Sequence, residues 1–159
     1  MKRHTNIESY ILCCRLKNME KTRELFDIWD ENKKHIEFQD NKKHTARVGE
    51  FWRYREWMNI GNEISKDSKF KRVCLVLHNN LWNWLFLIAP ITTKYHKRME
   101  KYYIKVNGYE KYGIKECRII INQIKLIDTK RLFSKPNNEK PLLWLAIKVR
   151  HFYWNIIQK

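Results

Sequence analysis

The stretch from Phe86 to Val106, "FLIAPITTKYHKRMEKYYIKV", contains two strand patterns separated by a cationic segment. It begins with an apolar run that is typical of a buried strand, and it ends in alternating aromatic and β-branched positions. Between the two patterns, Thr92 and Thr93 stand beside basic residues, which are Lys94, His96, Lys97, Arg98 and Lys101. The segment is therefore either an ordinary solvated hairpin or a place where the protein holds a phosphate.

The composition indicates a folded, strongly basic domain. The chain has 159 residues, of which 43% are hydrophobic, which is enough for one domain with a core. It carries 33 Lys and Arg against 17 Asp and Glu, a net charge of +16. Such a field attracts polyanions, although AT-rich codon usage would also enrich lysine without any function. No apolar run reaches the roughly 20 residues of a membrane span, and the apolar stretch near the N-terminus is too short for a signal peptide, so we expect a cytoplasmic protein.

The sequence offers no pattern typical of a metal or cofactor site. The four cysteines are Cys13, Cys14, Cys74 and Cys117, and no pair has the spacing of a zinc site, so we expect free thiols and neither metal nor cofactor. With only four glycines, we do not expect a glycine-rich phosphate loop. The acidic residues do not form the close pairs that a two-metal nuclease needs.

Periodicity predicts helices at both ends and strands between them. We expect a helical segment over residues 6–35 with a break near Thr22, and a linker over 37–48. Strands are predicted within 50–61 and at 72–78, 84–91, 101–107 and 117–128, with a polar loop over 62–71. A turn and loop follow, and Pro141 is the expected first residue of a basic amphipathic helix that packs on the sheet or on a partner rather than on a membrane. Short strands with turns between them indicate a compact barrel or sandwich.

A hydroxyl beside cationic groups suits the cleavage of RNA. RNA carries its own nucleophile, the 2′-hydroxyl, so the protein must hold this group in line and stabilise charge at the phosphorus. An arginine matches the geometry of a phosphate, and a threonine adds a positioned donor. Arg72 begins one predicted strand and Thr92 ends another, so a barrel would bring them together. Taken alone, each residue is equally an ordinary solvated strand end.

Four motifs in order resemble the PemK/MazF family of type II toxins. They are "KFKRVCLVLHNN", "FLIAPITTK", "KYYIKV" and "IIINQIKLIDTKRL", and the similarity spans about residues 47–133. The resemblance implies an α+β, mainly β fold, a small SH3-like β-barrel with N-terminal and C-terminal helices. It divides the chain into a helical extension and linker, 1–46, and a barrel domain with its C-terminal helix, 47–159.

The resemblance also implies an activity and partners. The family's members are metal-independent endoribonucleases that cleave single-stranded RNA or mRNA by attack of the 2′-hydroxyl, act as homodimers and are blocked by a cognate antitoxin. The family's catalytic positions fall on Arg72 and Thr92. The positions expected to bind RNA are Asn79, Thr93, Lys94, Gln123 and Lys125.

Three features of the sequence bear on whether the protein cleaves RNA. Arginine stays protonated in proteins, so Arg72 is assigned to charge stabilisation, and His78 and His96 are the candidates for a base that the sequence does not identify. Val73 replaces the family's usual proline, and the segment before it lacks the common glycine-rich turn. Two alternatives therefore remain: a non-catalytic relative that binds RNA or an antitoxin, and a toxin of the same fold that acts on a topoisomerase.

Overall fold

Two α-helices and seven β-strands make up the main regular structure in the computed structural model, which describes residues 23–38, 44–56, 71–81, 84–106, 116–136 and 140–158. In chain order they are α1 (Arg23–Phe38), β1 (Phe51–Arg55), β2 (Lys71–Leu81), β3 (Leu85–Thr92), β4 (Tyr103–Val106), β5 (Cys117–Ile120), β6 (Lys125–Asp128), β7 (Leu132–Ser134) and α2 (Leu143–Ile157). Short 3₁₀ helices cover Lys97–Tyr102, Ile121–Gln123 and Thr129–Arg131. The predicted α+β, mainly β class is confirmed.

The strands form one antiparallel sheet with the order β4-β5-β3-β2-β1-β7. Strand β3 is the centre of this sheet, because it pairs with β2 on one side and with both β5 and β6 on the other. β5 pairs with the end of β3, and β6 pairs with its beginning. A sheet of this topology with helices near its termini is consistent with the barrel that the resemblance implies.

The prediction of one continuous strand over 117–128 was wrong, because a 3₁₀ turn divides it. From Ile91 to Ile88, β3 advances three residues, while its partner advances six, from Ile119 to Lys125. The partner therefore has three residues in excess, and the three-residue turn Ile121–Gln123 accommodates them. The turn moves the chain from the pairing of β5 to that of β6.

Other boundaries also differ from the prediction. β7 lies in a segment predicted as turn and loop, and its three residues are too few to show a period. Lys101 and Tyr102 belong to the 3₁₀ helix before β4 and not to the strand.

The helix boundaries differ as well. Pro141 precedes the C-terminal helix instead of starting it, because the N–H of Leu142 donates to Gly49 O at 2.8 Å outside the helix. The described helix continues to Phe38. The predictions for residues 6–22 and 57–70 lie outside the described part of the chain.

Both faces of the central strands are apolar, and each contributes to a separate core cluster. The first cluster contains Leu75 and Leu77 of β2 and is covered by the buried side chains of α2, which are Leu145, Ala146 and Val149. The second cluster contains Cys74 and Val76, whose side chains point to the opposite face because successive strand residues alternate. Its other members are Ala46, Trp52, Tyr54, Phe86, Ile88, Ile127 and Leu132.

A left-handed glycine joins the start of α2 to the sheet. Gly49 has a φ of +88°, a conformation that favours glycine. Its N–H donates to Val76 O at 2.8 Å, and its carbonyl accepts from the N–H of Leu142 at 2.8 Å. A Cβ at this position would lie 2.6 Å from the carbonyl carbon of Leu142. The close backbone approach therefore requires glycine.

A buried carboxylate fixes the segment next to this glycine. The Glu50 side chain accepts from the N–H of Arg47 at 3.0 Å, from Trp52 Nε1 at 2.9 Å and from Lys135 Nζ at 2.7 Å. Burial by itself would raise the pKa of Glu50, but these hydrogen bonds and the charge of Lys135 outweigh it and lower the pKa below its ordinary value. The carboxylate thus joins β1 to the segment after β7.

Helix α2 leaves part of its apolar surface exposed. Large side chains facing solvent are Leu143, Trp144, Ile147, Phe152, Trp154 and Ile157. Ile147 and Phe152 therefore lie outside the packed side of the helix, whereas Leu145, Val149 and Ile156 contact the first cluster. None of the helices in the described ranges has both the length and the apolar character that crossing a membrane would require.

The described residues fall into two compact units. One contains α1, in which Leu25, Trp29 and Ile36 form a buried stripe at helical spacing. The other contains residues 44–54 and the described residues from Arg72 onward, and thus α2 and the whole sheet except Arg55 of β1 and Lys71 of β2. The predicted boundary between residues 46 and 47 stays a prediction.

Candidate functional site

Arg72 and Thr92 lie at the same end of two paired strands. β2 and β3 are in register as Cys74 opposite Pro90, with Leu75 and Val76 continuing the ladder. Continued by two residues beyond Cys74, this register places Arg72 opposite Thr92. Directly opposed residues of antiparallel strands have Cβ atoms about 4.5–5.5 Å apart. In this continued register, the two predicted catalytic residues are neighbours at the same end of β2 and β3.

A second arginine stands on the other side of Thr92. Thr92 pairs with Arg118 of β5, and Arg118 pairs with Lys105 of β4. Arg72, Thr92, Arg118 and Lys105 thus follow one another across β2, β3, β5 and β4, and we call them the cationic row. Neighbouring strands are about 4.8 Å apart, so the row extends over roughly 14 Å.

All four members of the cationic row project from the same face of the sheet. Arg72 and Thr92 alternate with residues of the first cluster and share the face of Cys74 and Ile88. Arg118 lies between Cys117 and Ile119, and Lys105 lies between Ile104 and Val106, and all four of these neighbours are in the first cluster. Alternation therefore directs the arginine and the lysine to the face of Thr92.

The hydroxyl of Thr92 is oriented by the backbone that follows it. Its Oγ1 accepts a hydrogen bond from the N–H of Lys94 at 3.0 Å, the geometry of a turn closed by a threonine side chain. A hydroxyl that accepts in this way keeps its own proton to donate elsewhere. Thr92 is therefore a positioned hydrogen-bond donor whose strand neighbours are Arg118 and, in the continued register, Arg72, an arrangement that suits an anion.

Arg118 is held in place by two contacts. Its Nη2 donates to Glu116 Oε1 at 3.0 Å, and its guanidinium carbon lies 4.7 Å from the centre of the Tyr95 ring. Its side chain is only 15% exposed. The same carboxylate oxygen accepts from Lys105 Nζ at 2.7 Å. The hydrogen bond and charge of Lys105, together with the charge of Arg118, lower the pKa of Glu116.

Two tyrosines lie beside this arginine. The rings of Tyr95 and Tyr103 are tilted by 49°, with centroids 6.3 Å apart. Partial burial and a hydrogen bond with Glu100 raise the pKa of Tyr95, while the charge of Arg118 opposes this change. A tyrosine is ordinarily neutral at physiological pH, so Tyr95 is an aromatic surface beside the cations.

The residues predicted to bind RNA are spread along the sheet. Thr93 and Lys94 are exposed and directly follow Thr92. Lys125 is opposite Ile88, four residues from Thr92 or about 13 Å along β3, and its Nζ lies 5.6 Å from the centre of the Tyr54 ring. Gln123 is half-buried in the turn between β5 and β6. All four lie on or near β3, so their RNA-binding roles stay predictions.

Asn79 lies towards the other end of β2. It is seven residues from Arg72, about 23 Å along a strand. Its Nδ2 donates to Ala46 O at 3.1 Å, which connects β2 to the segment before β1. This hydrogen bond is a sufficient structural reason for an asparagine at position 79. The contact between Asn79 and RNA stays a prediction.

The two candidate bases differ in their distance from Thr92. His78 is exposed on β2, six residues from Arg72, and about 20 Å along the strand is too far for proton transfer at Thr92. His96 is exposed four residues after Thr92, at the start of the 3₁₀ helix Lys97–Tyr102. His96 is therefore the nearer candidate.

The structure also describes the expected thiols and possible metal ligands. Cys74 and Cys117 are buried thiols outside any disulfide, which confirms the prediction for these two, and burial raises the pKa of Cys117 to about 11. Cys13 and Cys14 lie outside the described residues. Within the described ranges, no group of three His, Cys, Asp or Glu side chains is placed to hold a metal ion.

Arg118, Lys105, Tyr95 and Tyr103 were not recognised from the sequence. Each is a polar or aromatic residue at an outward position of a strand or loop, which by itself is unremarkable. The relevant signal was the single charge of Arg118 inside the apolar run "CRIII", residues 117–121. Its meaning depends on the register that places it opposite Thr92, and a single sequence does not give that register.

The fold and the cationic row define a small, mainly β domain with basic residues in a row on one face of its sheet. A family model, described as PemK-like, MazF-like toxin of type II toxin-antitoxin system, matches residues 56–140. The match covers more than half of the chain and includes Arg72, Thr92 and Arg118. The chain therefore belongs to this toxin family, and membership implies an antitoxin partner. A comparison with curated protein sequences gave no significant match.

Proposed function

We propose that this protein is the toxin of a toxin-antitoxin pair and cleaves single-stranded RNA, including mRNA, in the cytoplasm. The observation that supports the proposal most is the position of Thr92, a positioned donor between Arg72 and Arg118, inside the region that matches the toxin family. A phosphate bound over Thr92 would meet one hydroxyl and the charge of both arginines.

The reaction uses the nucleophile of the substrate. The 2′-oxygen attacks the adjacent phosphorus, a P–O2′ bond forms and the P–O5′ bond breaks. The products are a 2′,3′-cyclic phosphate and a 5′-hydroxyl, so one proton leaves the 2′-oxygen and one reaches the 5′-oxygen. No metal is needed to generate the nucleophile. His96 is the proposed acceptor of the first proton, since it is the nearer of the two histidines.

Arg72 and Thr92 act on the charge that develops at phosphorus. An arginine remains protonated, so Arg72 stabilises the phosphorane oxygens and does not act as the base. The hydroxyl of Thr92 donates a hydrogen bond to a nonbridging oxygen. Donors that are fixed before the reaction stabilise the transition state most, because they need no reorganisation. The backbone hydrogen bond from Lys94 to Thr92 provides this fixation.

The partners of the proposed toxin are an antitoxin and a second copy of the chain. Helix α2 contains Lys148 and Arg150 among the exposed residues Trp144 and Trp154, and its sequence has no acidic residue. Exposed apolar groups of this size mark interaction surfaces. We assign this surface to an acidic segment of the antitoxin that folds when it binds. The homodimer is proposed only because the resemblance to this family implies one.

The test of the activity is a cleavage assay in EDTA. A long single-stranded RNA is incubated with the antitoxin-free protein, and the new ends are mapped. We expect discrete cuts with 5′-hydroxyl and cyclic phosphate ends, and no cut in an oligonucleotide with one 2′-deoxyribose at the cleaved position. New 5′-phosphate ends, or cleavage of the deoxy substrate, would contradict the mechanism. A gel shift without cuts would favour a non-catalytic binding protein. DNA damage in cells whose mRNA stays intact would favour action on a topoisomerase.

A further inference from the structure

The half of the cationic row beyond Thr92 has the features of a second binding position. It contains Arg118 and Lys105, which belong to β5 and β4, and the adjacent rings of Tyr95 and Tyr103. Neither catalytic residue is in this half. The row extends about 14 Å in total, which gives room beyond the position of the reacting phosphate.

Arg118 can bind a phosphate although it already contacts a carboxylate. A guanidinium has five N–H donors, and the contact with Glu116 is made by Nη2 to a single oxygen. The ring of Tyr95 supports one face of the guanidinium at 4.7 Å. An arginine fixed on two sides loses little side-chain freedom when it binds an anion, so its position favours recognition.

The charge of this half is positive despite Glu116. Lys105 and Arg118 both contact its carboxylate, so one negative charge is set against two positive ones. Glu100, which is hydrogen-bonded to Tyr95, adds a second negative charge, but the 3₁₀ helix that contains it also carries Lys97, Arg98 and Lys101. Proteins that bind single-stranded nucleic acids use cations to contact the backbone and aromatic faces to stack the bases. The remaining positive charge and the ring of Tyr95, which is 46% exposed, provide one group of each kind.

We propose that Arg118 and Lys105 bind the phosphate next to the cleaved one, and that Tyr95 with Tyr103 stacks the base of that nucleotide. This inference rests on the proposed function, because it places the RNA chain along the cationic row from Arg72 to Lys105. It makes Tyr95 and Tyr103 contributors to substrate selection, since the stacked base stands next to the cleavage position.

The test uses an uncleavable RNA that contains the mapped cut site with 2′-deoxyribose at the cleaved nucleotide. Its affinity is measured by fluorescence anisotropy over a range of salt concentrations. Arg118→Gln should weaken binding at least about 10-fold and reduce the slope of log affinity against log salt by about 0.7, the contribution of one phosphate contact on a single strand. The matched control is Arg47→Gln, an exposed arginine before β1 whose described hydrogen bonds use only its backbone.

The stacking role of Tyr95 is tested by removing its aromatic ring. Tyr95→Leu should weaken binding about 5- to 150-fold with an unchanged salt slope, whereas Tyr95→Phe should bind almost like the wild type. The phenylalanine variant separates stacking from the hydrogen bond to Glu100. Because Tyr95 is partly exposed, its variants test the proposal even where Arg118→Gln is unstable, and thermal unfolding is recorded for each protein.

The outcomes distinguish this inference from the proposed function. If the wild type cuts RNA and both Arg118→Gln and Tyr95→Leu bind like Arg47→Gln, this binding position is wrong while the nuclease remains. If the wild type neither binds nor cuts the RNA, the proposed function fails and this inference fails with it. A change of the preferred cut site in Tyr95→Leu would support the role in selection.

Discussion

At the scale of single residues, the hydroxyl of Thr92 is the most informative group in the site. Its Oγ1 accepts from the N–H of Lys94, and its strand neighbours are Arg118 and, in the continued register, Arg72. A threonine at the end of a strand is often a simple turn residue. The turn found here is compatible with function, because it fixes the oxygen and leaves the proton to be donated.

We predict that Thr92→Val lowers the rate of RNA cleavage about 10²- to 10³-fold, the usual cost of removing one donor to a developing negative charge. Valine keeps the shape and the β propensity, so the fold should be retained. The measurement is the single-turnover rate, with Thr45→Val, at an exposed threonine before β1, as the control. A Thr92→Val protein that is fully folded and cuts at the wild-type rate would remove Thr92 from the mechanism.

At the scale of elements, two neighbouring residues hold the start of α2 and the strand β1 in position. Gly49 makes backbone hydrogen bonds to β2 and to the residue before α2, and Glu50 joins β1 to the segment after β7. Neither belongs to the proposed site. Changes at these positions should therefore affect stability and leave the chemistry of the folded protein unchanged.

Gly49→Ala should destabilise the protein strongly. A positive φ alone costs a nonglycine residue about 1–3 kcal/mol, and the new Cβ would also lie 2.6 Å from the carbonyl carbon of Leu142. Because that atom belongs to the backbone, α2 would have to move. The free energy of unfolding from urea titrations measures the effect. A loss of less than about 0.5 kcal/mol would show that this junction is not as close as described.

Glu50 should make stability depend on pH. Its folded pKa is lowered, so its stabilisation is complete above the unfolded value of about 4.3 and is lost as the pH falls through the folded pKa. Glu50→Gln should cost about 1–3 kcal/mol at pH 7 and less at pH 3. Denaturant titrations at the two pH values test this, with Glu31→Gln on the exposed surface of α1 as the control. An equal loss at both pH values would argue against an ionised Glu50.

The elements also show what a sequence can predict. The strands at 72–78 and 84–91 were recognised because β-branched and apolar residues dominate them, and the structure has them within β2 and, except for Trp84, within β3. The division between β5 and β6 was missed because it arises from two different registers with β3, and registers are set by tertiary contacts.

At the scale of the whole molecule, the net charge of +16 acts on every polyanionic partner. We predict that an acidic antitoxin segment binds less tightly as salt increases, because screening weakens attraction between charges that face solvent. Isothermal titration at 50 and 500 mM salt measures this, and exposed Trp144 and Trp154 retain the apolar part of the interface. Affinity that is independent of salt would mean that apolar contacts dominate.

The candidate site was predictable only in part. The order of motifs was sufficient to select Arg72 and Thr92, because both lie at strand ends in recognisable patterns. Arg118 could not be selected, since its significance comes from three strands that meet at Thr92 only in the folded sheet. One comparison of variants tests the roles of these residues most directly.

That comparison is the cleavage of a long single-stranded RNA in EDTA by the wild type, Arg72→Ala and the control Arg47→Ala. We predict discrete cuts with 5′-hydroxyl ends by the wild type and by Arg47→Ala. We expect a rate lower by at least about 10²-fold for Arg72→Ala, which loses the charge beside the phosphate. Equal cleavage by a folded Arg72→Ala protein would contradict the role of Arg72, and no cleavage by the folded wild type would contradict the proposed activity.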